Sequence, residues 1–290
     1  MFRMNWKRFS LIFGLSLTLF AAGCGSDEAS TSQSKEVELT LVDWDSEIAS
    51  TNVVGKVLED LGYEVTITPL DMSLMWESVA TGESDAMLAA WLPLDQAEQY
   101  EAYGDQLVDL GENLEGAKTG LVVPEYMDID SIEELKDQAD QTIVGIDPGA
   151  GVVTAAEDAV SDYSNLDGWE VQTSSSGAMV SALEQAYAKE EPIIVTGWSP
   201  HWKFASYDLK YLEDPQNSFG EEEHISTMVR KGLEEDMPEV YQVLDSFYWT
   251  PEDMEAVMLD ISEGTDPEDA AASWIEENKN KVSEWTEGIE

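Results

Sequence analysis

The chain has 290 residues, 43% of them apolar, and sets 14 basic side chains against 61 acidic ones for a formal net charge of -47. Such an acidic surface repels phosphate backbones and anionic headgroups, which excludes nucleic-acid recognition through Lys and Arg at phosphates. Ten Trp, ten Tyr and seven Phe exclude a disordered polyanion too, because aromatic side chains at this density belong to packed structure.

The acid therefore lies on the surface, where it serves solubility at high salt or a basic partner. The length suits two lobes of roughly 100 to 150 residues each. Residues 1–23 read as a secretory signal peptide: Arg3, Lys7 and Arg8 form its basic region, and Leu11 to Phe20 its short apolar one. Ala21-Ala22-Gly23-Cys24 then resembles a bacterial lipobox, which implies cleavage before Cys24 and a diacylglyceryl anchor on its thiol. With a single cysteine, no intrachain disulfide can form. Residues 24–35, rich in Ser, Thr, Asp and Glu, predict a lipidated flexible linker. No later run approaches the roughly 20 apolar residues of a membrane span.

In the remainder, Val37, Leu39 and Leu41 alternate with polar residues and predict a strand that ends at Asp43-Trp44-Asp45. Val53, Val54, Val57, Leu58 and Leu61 fall at helical spacing, Gly62 suits a left-handed helix end, and Glu64 to Thr68 form the next strand of a β-α-β unit. A helix over Met72 to Gly82 precedes a strand over Asp85 to Trp91 that Pro93 stops. Residues 95–106 predict an outer helix, Gly120 to Pro124 a strand, and Ser131 with Glu134 a capped helix start. A second β-α-β series opens at Thr142 to Ile146 and turns through Asp147-Pro148-Gly149-Ala150-Gly151-Val152 into a helix from about Thr154 to Tyr163. Glu170 to Gln172, Ser176 to Ala188 and Ile193 to Gly197 continue it as strand, helix and strand. From Glu221 the chain reads as mostly helical, with Pro251-Glu252-Asp253 and Pro267-Glu268-Asp269 as first turns, and should pack on the first lobe.

Three of the strands deliver a Trp at the carboxyl end, where open α/β sheets bind ligands: Trp44, Trp91 and Trp198. Indole is the best ring for a cation over its face, and three of them form an aromatic box for a small methylammonium group. For Trp198, Pro200 forbids further ladder pairing and places the ring on a loop past the strand. The Gly-rich turn before Gly151 and Val152 offers unpaired amides and a helix dipole that suit an anion, or else needs its glycines for the turn alone. Enzyme chemistry has little to stand on: two histidines, His201 and His224, and neither H-E-x-x-H nor G-x-S-x-G. Trp76, Trp169, Trp249, Trp274 and Trp285 read as core or interface, while Trp202 is left open between packing and the site.

On Trp44 to Ser50, Ala90-Trp91-Leu92-Pro93, Gly145 to Gly151 and Thr196 to Trp202, the chain resembles the glycine betaine-binding lipoproteins of bacterial ABC importers over nearly all of residues 36–290. The resemblance implies an α/β, two-lobed, hinged periplasmic-binding-protein fold of the type II kind. Lobe 1 would comprise 36–120 and 221–290, and lobe 2 would comprise 121–220. It implies a prism of Trp44, Trp91 and Trp198 around the quaternary ammonium, and the backbone amides of Gly151 and Val152 on the ligand carboxylate. Members place a His five residues after the Trp of Ala-Trp-Leu-Pro, where this chain has Gln96. Gln donates a hydrogen bond without charge, so binding is weaker or another donor stands in. The implied role is a monomeric, lipid-anchored receptor outside the cell membrane, without cofactor or metal, serving an ABC permease and its ATPase. The alternatives are a receptor for choline or another quaternary ammonium, and a surface enzyme acting on methylated amines.

Overall fold

The computed structural model describes residues 35–289, so the signal peptide, Cys24 and all but the last residue of the linker lie outside them. From there the chain alternates strand and helix: β1 (Glu36–Leu41), α1 (Asp45–Asp60), β2 (Glu64–Pro69), α2 (Met72–Thr81), β3 (Ala86–Leu92) and α3 (Ala97–Tyr103). A long β4 (Leu107–Pro124) leads to β5 (Thr142–Val144), α4 (Gly151–Asp162), β6 (Glu170–Gln172), α5 (Ser176–Tyr187), β7 (Ile194–Ser199), α6 (Lys203–Ser206) and β8 (Leu209–Tyr211). The chain closes with β9 (Glu223–Arg230), α7 (Leu233–Asp236), α8 (Pro238–Ser246), α9 (Pro251–Ser262), α10 (Pro267–Glu277) and α11 (Lys279–Trp285).

The strands are ordered β2-β1-β3-β9-β4-β7-β5-β6, with β8 also on β4. β1 and β2 run parallel with Val37 opposite Val65, because α1 supplies the crossover that parallel neighbours need. Val53, Val54, Val57 and Leu58 fall on the buried side of α1, and Gly62 closes the turn after it at φ 88°. β4 belongs to both ends of this order. Its first part pairs with β9 from Leu107 to Ala117, and its second with β7 from Lys118 to Val122. Gly111 and Gly116 take positive φ where the β4–β9 register shifts, so the strand bends between the two groups of strands.

Three expectations change. β4 begins at Leu107, not Gly120: its bulges break the alternation that marks a strand. The tail does not start as helix, because Glu223–Arg230 is a central strand, buried on both faces and so lacking a polar face. Ser131 caps only a single turn, Ile132–Glu134. There the Asn165 amide takes the carbonyls of Ile132 and Leu135, at 2.8 and 3.0 Å, which a longer helix would require. Further on, Thr250 and Asp253 form a capping box ahead of α9, with Pro251 as its first residue. α1 packs on α9 and α10, while Trp249, Trp274 and Trp285 build an aromatic core beneath the tail. Among the described residues no helix is long and apolar enough to cross a membrane.

Candidate functional site

The three strand-end tryptophans meet. Trp44, Trp91 and Trp198 line one narrow cleft together with Ser46, Asp95, Thr119, Ile146, Ala150 and Val152. Trp44 stands between β1 and α1, and its indole N–H donates to Asp147 Oδ2 at 3.0 Å, which ties the first βα turn to the segment after β5. Trp91 is carried by β3, whose seven residues are all buried. Trp198 corrects the expectation of a loop: it lies within β7, opposite Thr119, and pairing ends after Ser199 at Pro200.

Facing the indoles is the start of α4. It begins at Gly151 rather than Thr154, after Gly149 makes the turn at φ 88°. The first amides of a helix lack intrahelical acceptors and carry the positive end of its dipole. Val152 lines the cleft, and Gly151 borders the groove beside it. Gly151 is required by space: a Cβ there would overlap the carbonyl oxygen of Asp95. Gln96 is not among the residues lining the cleft. Its side chain is buried, with Oε1 accepting from the Trp76 indole at 2.8 Å and Nε2 without a protein partner.

Around the cleft the electrostatics divide sharply. Asp45, at the start of α1, accepts from the Trp202 indole at 2.8 Å and the Ser176 hydroxyl at 3.1 Å, and faces His201 Nε2 at 3.6 Å. Desolvation raises its pKa, but these three partners more than offset it and hold the carboxyl well below its usual range. His201 Nδ1 accepts from the Lys203 amide at 3.1 Å, which leaves the ring proton on Nε2 toward Asp45. Burial and the neighbouring Lys203 push His201 down to about 4, so at neutral pH it faces Asp45 uncharged. Lys203 is itself buried, with Nζ 4.2 Å from the Trp198 ring centre, and desolvation lowers it to about 7 against the pull of Asp45.

Asp95 has the opposite surroundings. Burial pushes it up to about 7, Glu223 adds repulsion, and the Val152 amide opposes both. Glu47 is pushed up as well, by burial first and then by Asp95, although Val42 N–H donates to its Oε2 at 2.5 Å. An aromatic box, a helix start and an acid at the border between them can together hold a small solute with a cationic head and a polar tail.

Residues 35–277 match the family described as the substrate-binding domain of ABC-type glycine betaine transport systems. The chain belongs to that family. It is 52% identical over 162 residues to the glycine betaine/carnitine transport binding protein GbuC of Listeria monocytogenes, a stretch of 56% of this chain and 54% of that protein, so it spans about half the length of this curated relative. Lactococcal OpuAC in its closed form with glycine betaine matches at TM-score 0.85 and 49% identity, over 87% of this chain and 99% of that one. The glycine/betaine/L-proline-binding protein ProX of Borrelia burgdorferi matches at TM-score 0.83 and 36% identity, over 87% and 97%. The family fold is thus the two-lobed α/β binding-protein fold expected from the motifs.

Relative to these family motifs, sequence reasoning placed Trp44, Trp91, Trp198, Gly151 and Val152 about the cleft, and missed Asp45, Asp95 and Lys203. Among 61 acids no single one stands out. The usable signals were local: Asp45 follows a strand-end Trp directly, and Asp95 follows the Pro93 that ends the next.

Proposed function

We propose that this chain captures glycine betaine, or a closely related methylated zwitterion, between two lobes and delivers it to a membrane permease driven by a cytoplasmic ATPase. The observation that carries this reading is the convergence of three indoles, from three separate strands, on one small cleft beside the start of α4. A trimethylammonium head donates no hydrogen bond, so indole faces replace its weak hydration at about 0.5–2 kcal/mol each. The Gly151 and Val152 amides take the carboxylate at the other end. Lobe 1 comprises 36–120 and 221–290 and lobe 2 comprises 121–220, in keeping with the bend of β4. Gln96 acts from behind the cleft, holding Trp76 rather than touching ligand. The receptor works outside the cell membrane as a monomer, tethered through lipid on Cys24, and leaves its ligand chemically unchanged.

Calorimetric titration with glycine betaine, choline and dimethylsulfoniopropionate tests the reading, with Trp fluorescence as a second readout. Micromolar binding of glycine betaine with a fluorescence change is expected. A protein silent to all three ligands, or one that turns betaine over, would refute it.

A further inference from the structure

This inference rests on the capture reading and adds a residue to it. Asp95 borders the aromatic cleft with its carboxyl toward the Val152 amide, so a ligand carboxylate arriving at α4 meets a carboxyl already there. Its position is fixed from both sides. The Asp95 and Leu94 amides donate to Glu223 Oε2, at 3.0 and 3.2 Å, and its carbonyl abuts Gly151. Among the described residues, the charged groups that face it are acidic: Glu47 from α1, Glu223 from β9, and Glu98 of α3 and Asp158 of α4 across the adjoining groove. Among the described residues, no basic side chain lines the cleft or that groove.

We propose that Asp95 reads the polar end of the ligand: protonated, it donates its O–H to a carboxylate seated on the Gly151 and Val152 amides, and ionised, it rejects a carboxylate and accepts from a hydroxyl instead. Two carboxylates beside one amide in a water-poor cleft cannot both stay ionised. A zwitterion therefore enters together with one proton from solvent, which forms the Asp95 O–H and breaks no bond within the protein or ligand. Burial pushes the Asp95 carboxyl up to about 7, near the physiological pH at which this proton would be exchanged. This supplies the donor that Gln96, turned toward Trp76, does not.

Titrations in buffers of different ionisation enthalpy count the protons. At about pH 8 the wild-type protein should take up close to one proton per glycine betaine, and its affinity should fall about tenfold per pH unit above neutrality. Choline, which has a hydroxyl in place of the carboxylate, should bind without uptake. Asp95→Asn donates from its amide at any pH, so it should bind glycine betaine with no uptake and a flat pH profile. Betaine binding by the wild type without uptake, or uptake that persists in Asp95→Asn, overturns the assignment and leaves the capture reading intact. Absence of betaine binding across the pH range would overturn both. Should Asp95→Asn fail to fold, the wild-type proton count and the choline comparison decide the matter.

Discussion

Asp45 and Asp95 are both half-buried carboxyls, one next to Trp44 and the other on the cleft that Trp44 lines, and their pKa values shift in opposite directions. Desolvation acts on both. Asp45 receives an indole N–H and a hydroxyl, with the His201 imidazole 3.6 Å away, and stays ionised. Asp95 receives one amide and looks out on Glu47 and Glu223, and holds its proton to about 7. The difference teaches that the count of donors, not the depth of burial, decides which of the two acids stays ionised.

The comparison is broken most directly at Gly151. Gly151→Ala puts a methyl against the Asp95 carbonyl and should hold the lobes apart, weakening glycine betaine at least about 100-fold while circular dichroism stays unchanged, since Ala suits a helix start. Asp45→Ala removes the acceptor of Trp202 and Ser176 and should cost about 2–3 kcal/mol, roughly 30- to 150-fold in Kd by calorimetry. The Asp45 pKa is lowered on folding, so its contribution is present above the unfolded value of 3.8 and is lost as the pH falls into the acid range. The thermal midpoints of wild type and Asp45→Ala should accordingly converge in acid. Trp91→Ala tests what lies between the two acids and should cost about 1–2 kcal/mol, some 5- to 30-fold in Kd, with Asp45 and Asp95 untouched.

The smallest effect sharpens the contrast. The Asp95 pKa is raised on folding, so its contribution is present below 3.8 and is lost as the pH rises through about 7. Asp95→Asn without ligand should therefore melt with the wild type near pH 4 and above it near pH 8. Allowing for solvent screening, the gain is about 1 kcal/mol, or roughly 2–4 °C by differential scanning calorimetry.

Much of the cleft was legible because its parts are written locally. Trp44, Trp91 and Trp198 each end an apolar run, and Gly149 with Gly151 marks a turn into a helix. What stayed hidden depends on distant partners. The acceptor role of Asp45 becomes visible only when Ser176 and Trp202 arrive beside it, and the reluctance of Asp95 to ionise only when Glu223 does. β9 was read as helix for a related reason: a strand covered on both faces loses its period of two. The Trp198 ring lies one residue inside its strand rather than past it because Pro200, not Gly197, ends the ladder.

One consequence of the bent β4 concerns mechanics. Ala117 pairs with Glu223, so the segment between them departs from and returns to the same spot through two strands lying side by side. A narrow ribbon of this kind flexes across its thin dimension and resists swinging edgewise. On the proposed two-lobe reading, the jaws have one easy arc, and each closing stroke lands the same atoms on the same atoms.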